Sequence, residues 1–220
     1  MTLRDLEEPD VRSLAVELDG EPVPGLRMTE KQFHEWCWSK EKVRAEWVNG
    51  EVILLSPINI PEYRLNFWLC QLVAAAAGPE GGEVFGVEVQ VRLPNIRQRR
   101  NPDVFFVSHS RRRIIDHNYI DGPPDLIMEI VSPDSESRDW RDKYIDYEKS
   151  GVREYWIIDP GTKHVEAYSL GRDKRYQRIR LQDGRIKSKV IRKLYIRPEW
   201  LWKSPLPKVA TVLKELGVKF

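Results

Sequence analysis

Two apolar stretches in the middle of the sequence each carry a carboxylate. Asp103 begins the stretch DVFFV, and Glu129 lies within LIMEIV. Both stretches are typical of buried strands, and a buried carboxylate is costly unless it is paired or holds a metal ion. Two acids on neighbouring strands can bind a hard, oxygen-preferring cation such as Mg²⁺, with positions left for phosphate and water. The pair therefore predicts metal-assisted hydrolysis of a phosphodiester bond.

A lysine follows these acids on a predicted helix. The helical pattern runs over about residues 138–150, and Lys143 shares its inward face with Tyr147. The long lysine stem can carry the ammonium group to the rim of the sheet, where it would stabilise charge on a phosphate. The alternative interpretation is an interfacial lysine that pairs with Asp139 or Asp146.

A third acid lies in a predicted hairpin. The dipeptide Asn49-Gly50 separates two strand-like runs and favours a two-residue turn. With that turn, Glu46 is opposite Ile53 and points to an apolar face. Glu46 is therefore either part of a site or a half-exposed residue at a strand end.

Two other charged residues are weaker candidates. Asp125 shares a strand face with Glu129, but about 13 Å separate the two residues along an extended strand, which is too far to share an ion. Arg92 lies on the polar face of a strand predicted over residues 83–93, where polar and apolar residues alternate strictly. Arg92 is the alternative base if Lys143 does not act.

Composition limits the class of protein. No apolar run approaches the roughly 20 residues that span a bilayer, and the acidic start does not resemble a signal peptide. We therefore expect a soluble, cytoplasmic protein with no membrane partner. Cys37 and Cys70 have neither the spacing of metal ligands nor that of a disulfide framework.

The charges are unevenly distributed, although the net charge is only +2. Residues 1–21 contain seven acids and two bases, whereas residues 163–197 contain twelve bases and three acids. The basic segment, residues 172–193, would suit a phosphate backbone. Its alternation fits equally well a solvent-exposed β-hairpin.

The order of predicted elements is typical of an α/β fold with a mixed sheet flanked by helices. A capped helix over residues 28–39 precedes the Asn-Gly hairpin, and a longer helix starts near Pro61. We expect an acidic N-terminal arm (residues 1–27), a core domain (28–170), and a C-terminal hairpin and helix packed on the core (171–220).

Four sequence strings resemble one family. EWVNGEVILLSP, PDVFFV, PPDLIMEIVSP and DKYIDYEKSGVREYWIIDP resemble the Uma2 family, bacterial restriction-endonuclease-like proteins of the PD-(D/E)xK nuclease superfamily. The resemblance covers roughly residues 28–170 and implies a restriction-endonuclease-like core. It also implies a Mg²⁺-dependent DNA endonuclease, with Mn²⁺ as a substitute and a homodimer as a possible assembly. By resemblance, Asp103 and Glu129 would be metal ligands, and Glu46 an accessory acid.

The chain departs from the superfamily pattern at two positions. Val131 stands where the pattern places a lysine two residues after the second acid, and Lys143 is the natural substitute. Glu62 stands where relatives often have histidine, and we interpret it as a helix N-terminal charge rather than an additional catalytic acid. The alternative to an enzyme is a catalytically inactive module of the same fold that binds nucleic acid or a protein partner.

Overall fold

The structure is a computed structural model, and it describes residues 26–39, 43–78, 81–131 and 138–218. The chain divides into two compact units, Met1–Ser56 and Pro57–Phe220. The predicted acidic arm, except its last two residues, lies outside the described residues. The predicted domain boundaries after residues 27 and 170 stay predictions.

The first unit holds the predicted helix and hairpin. Helix α1 (Glu30–Cys37) begins at the N-cap Thr29, whose side chain exchanges hydrogen bonds with Gln32 in a capping box. Strands β1 (Ala45–Val48) and β2 (Glu51–Leu54) pair antiparallel in the predicted register. Both predictions are confirmed. Among the described residues of this unit, the buried apolar cluster contains Phe33, Trp36, Ala45, Trp47 and Val52.

The second unit contains most of the regular structure. Its strands are β3 (Gly82–Phe85), β4 (Val91–Leu93), β5 (Gln98–Arg100), β6 (Val104–Ser108), β7 (Ile120–Asp121), β8 (Leu126–Ile130), β9 (Glu154–Asp159), β10 (His164–Leu170), β11 (Tyr176–Arg178), β12 (Ile186–Lys187) and β13 (Tyr195–Ile196). Its helices are α2 (Ile60–Ala77), α3 (a π-helical turn, Arg138–Lys143, continued by the α-helix Tyr144–Ser150), α4 (Pro198–Leu201) and α5 (Val209–Glu215). Short 3₁₀ turns cover Pro94–Ile96 and His109–Ile114.

A six-stranded mixed sheet, in the order β11-β10-β9-β8-β6-β3, forms the centre of this unit. Strands β8 and β9 are parallel, and the other neighbours pair antiparallel. The mixed sheet with flanking helices is the predicted fold, which is confirmed.

The sheet separates two apolar clusters. Leu126, Met128 and Ile130 of β8 face the cluster that includes α2 and α5. Ile127 and Val131 face the cluster that includes β4 and α3. The alternation predicted for β8 is therefore confirmed, and it turns Glu129 toward the α3 side.

The prediction of a single strand over residues 83–93 is wrong. The run breaks between β3, which belongs to the six-stranded sheet, and β4, which pairs with β5 and β7. The break contains Glu88, whose φ is +77°, and Gly86, where an added Cβ would lie 3.2 Å from Cys70 Sγ. A positive φ is rare at a non-glycine residue, so the sequence gives no reason to expect a turn at Glu88. The alternation of polar and apolar residues therefore suggested one continuous strand.

The basic segment is not a simple hairpin either. Strand β11 pairs with β10, and β12 pairs with β13. An isolated bridge, Gln182 to Arg185, joins the two halves across a turn at Asp183-Gly184. Ile179, Ile186 and other apolar residues of the C-terminal segment belong to the cluster on the α2 side.

Helix α2 ends at its C-cap Gly78, and α3 ends at Gly151 with a φ of +90°. Among the described residues, no helix has both the length and the apolar character to cross a membrane.

Candidate active site

Asp103 lies directly before β6 and is half-buried. Its Oδ2 accepts a hydrogen bond of 2.7 Å from the backbone N–H of Ile130, and its backbone carbonyl accepts one of 2.6 Å from Asn66 Nδ2. Helix α2 and strand β8 therefore both fix the position of this residue.

Glu129 lies beside Asp103 on the neighbouring strand. Val104 pairs with Met128, and the same antiparallel register places Asp103 opposite Glu129. Residues that face each other in this way have Cβ atoms about 5 Å apart. The structure thus brings together the two acids that the sequence singled out, although 26 positions separate them in the chain.

The carboxylate of Glu129 is buried and holds two partners from α3. Lys143 Nζ lies 3.0 Å from Oε2, and the Tyr147 hydroxyl donates a 2.7 Å hydrogen bond to Oε1. The side chains of Lys143 and Glu129 are only 11% and 2% exposed. An ion pair so far from water is strongly coupled, because the surroundings screen it weakly.

Helix α3 brings Lys143 to this point through its spacing. Lys143 and Tyr147 are four residues apart and therefore share one helical face. The predicted position of Lys143 at the sheet is confirmed. Asp146, which the sequence offered as an alternative partner of Lys143, instead accepts a 2.6 Å bond from Arg100 Nη2 of β5.

Tyr147 and Arg100 were missed as site residues by sequence reasoning. Tyr147 was detectable as an inward-facing neighbour of Lys143, but nothing in the sequence marked its hydroxyl as a donor to Glu129. Arg100 is 3% exposed. It lies in a basic run, QRR, whose local pattern resembles that of an exposed strand.

Glu46 belongs to the first unit. It lies in β1 opposite Ile53, as predicted, and is 2% exposed. The half-exposed alternative is therefore wrong, because the side chain is almost fully buried. The role of Glu46 as an accessory acid stays a prediction.

Asp125 has a separate, structural environment at the other end of β8. It accepts hydrogen bonds from the Ser108 N–H at 2.8 Å and from Arg153 at 3.0 Å, and Arg111 lies 3.4 Å away. Burial acts to raise the pKa of Asp125, but the bonds from Ser108 and Arg153 outweigh burial and hold that pKa below its ordinary value.

The remaining candidates have local partners. Glu62 forms the capping box of α2 with Asn59, as expected of a helix N-terminal charge. Arg92 pairs with Asp121 at 3.0 Å. Burial, followed by the negative charge of Asp103, raises the pKa of the Cys70 thiol to about 11.

A metal at this site would depend on few protein ligands. Among the residues that the structure describes, no group of three or more His, Cys, Asp or Glu side chains has the geometry of a metal site. Mg²⁺ is commonly held by one or two carboxylates, with water and substrate oxygens completing its shell. Asp103 and Glu129 suit that mode of binding.

Comparison with known proteins decides the family. The family model Uma2, described as "Putative restriction endonuclease", matches residues 30–196. The chain belongs to the Uma2 family. The resemblance noted from the sequence is therefore confirmed.

This Uma2 chain also has a structural relative. A crystal structure from Anabaena variabilis, described as a "putative nuclease belonging to DUF820", is similar with a TM-score of 0.65 and 17% sequence identity. The match covers 80% of this chain and 97% of the other, and at this identity it concerns the fold. The comparison with curated proteins gives no match.

Proposed function

We propose that this Uma2 protein is a Mg²⁺-dependent endonuclease that hydrolyses DNA phosphodiester bonds. The observation that carries the proposal is the cluster of Asp103, Glu129 and Lys143, in which two strands and one helix bring two acids and a cation together. Family membership and the nuclease-like fold support a reaction on nucleic acid.

The donor chemistry fits a hard divalent cation. Asp103 and Glu129 offer carboxylate oxygens, and a carboxylate has about four lone-pair positions. The bonds from Ile130, Lys143 and Tyr147 are therefore compatible with coordination at these acids. When bound, Mg²⁺ or its substitute Mn²⁺ would supply Lewis-acid polarisation of the phosphoryl group and a more acidic water.

The protein residues have distinct roles in this proposal. Ile130 and Asn66 hold Asp103, and Tyr147 orients Glu129. Lys143 stabilises the negative charge that builds on the phosphate. A water oxygen bonds to phosphorus as the bond to the leaving sugar oxygen breaks. The water loses one proton, and the leaving oxygen gains one.

One observation favours a second candidate, a module that binds without cleaving. Both oxygens of Glu129 already have partners, Lys143 and Tyr147, as in a structural ion pair. In such a protein the acids would stabilise the fold, and the chain would bind nucleic acid or a protein partner. Titration with Mn²⁺ separates the two, because only the enzyme binds the ion through Asp103 and Glu129.

The experiment that tests the proposal uses the purified full chain with supercoiled plasmid, linear duplex, single-stranded DNA and RNA. Each substrate is incubated with Mg²⁺, Mn²⁺, Ca²⁺ or EDTA. We expect DNA cleavage with Mg²⁺ and Mn²⁺ and none with EDTA. Absence of cleavage with every metal, together with retained nucleic-acid binding, would support the binding module. Cleavage of RNA but of no DNA substrate would show that the protein is a ribonuclease rather than a deoxyribonuclease.

A further inference from the structure

A mainly apolar groove of about 1350 Å³ lies in the second unit. Its walls are the first half of α2, the ends of β8 and β9, and residues 201–206. Its lining includes three aromatic residues, Tyr63, Phe67 and Trp202.

Two aromatic rings in this groove are exposed. Tyr63 and Phe67 are 50% and 55% exposed, and Ile60 one turn earlier is 67% exposed. The rings of Tyr63 and Phe67 lie nearly parallel, at 7°, with centroids 6.2 Å apart. A contiguous cluster of exposed apolar side chains is typical of a binding site, whereas single exposed apolar residues are common on any protein surface. Flat, exposed rings are suited to stacking with nucleobases.

Cations accompany the rings. Arg64, Lys163 and Lys203 also line the groove. The two acids of the lining have local partners: Glu62 caps α2, and Asp159 accepts bonds from the backbone and hydroxyl of Thr162. The lining thus carries three bases and two acids, and its aromatic faces with this small excess of positive charge suit an anionic chain that carries flat apolar groups.

Two elements connect the groove to the proposed catalytic acids, although neither acid is among the residues that line it. Helix α2 contacts Asp103 through Asn66, and Phe67 is the next residue of that helix. Val131 lines the groove and follows Glu129 by two residues, about 7 Å along a strand. A nucleic-acid strand in the groove would thus lie near the end of β8, two residues beyond Glu129, whose side chain faces the α3 side.

We propose that this groove binds a single-stranded segment of nucleic acid, with unpaired bases stacked on Tyr63 and Phe67. In a duplex, the base faces are covered by neighbouring bases and cannot reach these rings. The protein would therefore prefer substrates with unpaired nucleotides next to the cleaved phosphate. The preference rests on the proposed nuclease function, whereas binding in the groove does not require catalysis.

The test measures fluorescence anisotropy of labelled oligothymidine and of a duplex of equal length, both in EDTA. We expect the double variant Tyr63→Ala/Phe67→Ala to bind oligothymidine roughly tenfold or more weakly, because each stacked base contributes substantially to affinity. Duplex binding should change little. The aromatic exchange Tyr63→Phe/Phe67→Tyr should retain binding of the single strand.

The matched control is Trp38→Ala, which removes an aromatic ring of equal exposure, 50%, that does not line the groove. Unchanged binding of oligothymidine by the alanine double variant would overturn the proposal. If binding is unchanged, and sedimentation velocity shows that the wild type is a dimer whereas the alanine double variant is a monomer, the groove is an interface between copies of the chain. The binding assay contains EDTA, so it measures affinity without any cleavage. If the wild type proves unable to cleave DNA, the proposed nuclease function fails, but the measured affinity for oligothymidine still tests the groove.

Discussion

The buried ion pair between Lys143 and Glu129 is the feature on which the residue-scale argument depends. A lysine at 3.0 Å compensates a carboxylate that is almost fully removed from water. In the proposed enzyme the same lysine later faces a phosphate, whose negative charge can replace that of Glu129 once a cation is bound. One ammonium group would then serve folding in the free protein and catalysis in the complex.

Replacement of this lysine tests both roles. Lys143→Met keeps most of the stem and removes the charge. We expect turnover to fall on the order of a hundredfold, about 3 kcal/mol in the barrier. The metal-free protein should also be destabilised by about 3 kcal/mol, since a buried carboxylate loses its cation. Added Mn²⁺ should restore part of that stability by binding the folded state.

The matched control is Lys149→Met, which removes an exposed lysine from the same helix. Cleavage rates and thermal unfolding with and without Mn²⁺ are measured for both variants. Full activity of Lys143→Met would show that the lysine is not catalytic. A loss of stability that Mn²⁺ does not reverse would favour the structural ion pair of the binding module.

Tyr147 should affect catalysis through Glu129. Tyr147→Phe keeps the ring, which packs edge-on to Tyr155, and deletes the hydroxyl that bonds Glu129. We expect a fall in turnover of roughly tenfold and a loss of about 1 kcal/mol in unfolding free energy. Tyr144→Phe, on the same helix, should leave the rate unchanged. Equal cleavage rates for the wild type and Tyr147→Phe would show that the Tyr147 hydroxyl does not contribute to catalysis.

Asp125 should make stability depend on pH. Because its folded pKa is lowered from 3.8, its contribution is present above that value and is lost as pH falls through the folded pKa. Asp125→Asn should therefore be less stable than the wild type near neutral pH, by about 2 kcal/mol. Urea unfolding at several pH values should show this gap narrowing below 3.8. A gap independent of pH would contradict the assignment.

At the scale of elements, the site results from the pairing of β6 with β8 and the packing of α3 on one face of the sheet. The sequence predicted these strands and this helix because their apolar periodicities are strong and their ends are marked, as at Gly151. Alternation also predicted that Glu129 shares a strand face with Asp125, but not which helix covers that face. It could not predict that Lys143 meets Glu129 rather than Asp146, since that depends on the π-helical turn and on Arg100 from another strand.

The errors at this scale have a common physical cause. Residues 83–93 and the basic segment both alternate like single strands or hairpins, yet each divides between different partners. Local periodicity reports which face a residue occupies and carries no information on which strand pairs with it. A turn built on Glu88 with positive φ has no strong sequence signature.

The basic segment gives a prediction of its own. Arg180, Lys187 and Lys189 are exposed and line a small concave surface of about 280 Å³. If they contact phosphates, changing all three to glutamate should weaken DNA binding and reduce the slope of log affinity against log salt by about 0.9 per lost contact. Affinity is measured by anisotropy over a salt series.

The control for this experiment reverses three exposed lysines elsewhere, Lys149, Lys208 and Lys214, so the change in net charge is the same. A specific role for the basic segment predicts a reduced slope only in the first variant. If the slope is the same in both variants, the basic segment does not contact phosphates specifically. Its role would then be solubility and packing of the C-terminal part of the chain.

At the scale of the whole molecule, family and fold could be predicted from the sequence because several long strings carry the resemblance. The two acids of the site could be predicted as well, since a carboxylate within an apolar strand is conspicuous. The exposed rings of Tyr63 and Phe67 could not, because their spacing also fits an ordinary buried helix face. Only the packing of α2 shows that these rings are exposed and line a groove.

The measurement that tests the central claim most directly is the rate of plasmid cleavage with Mn²⁺ by the wild type, Asp103→Asn and Glu129→Gln, each with circular dichroism as a check of folding. Both variants conserve volume and remove one carboxylate charge. We predict that the wild type cleaves and that each folded variant loses at least about a hundredfold in rate. Cleavage at the wild-type rate by either folded variant would contradict a metal centre at Asp103 and Glu129.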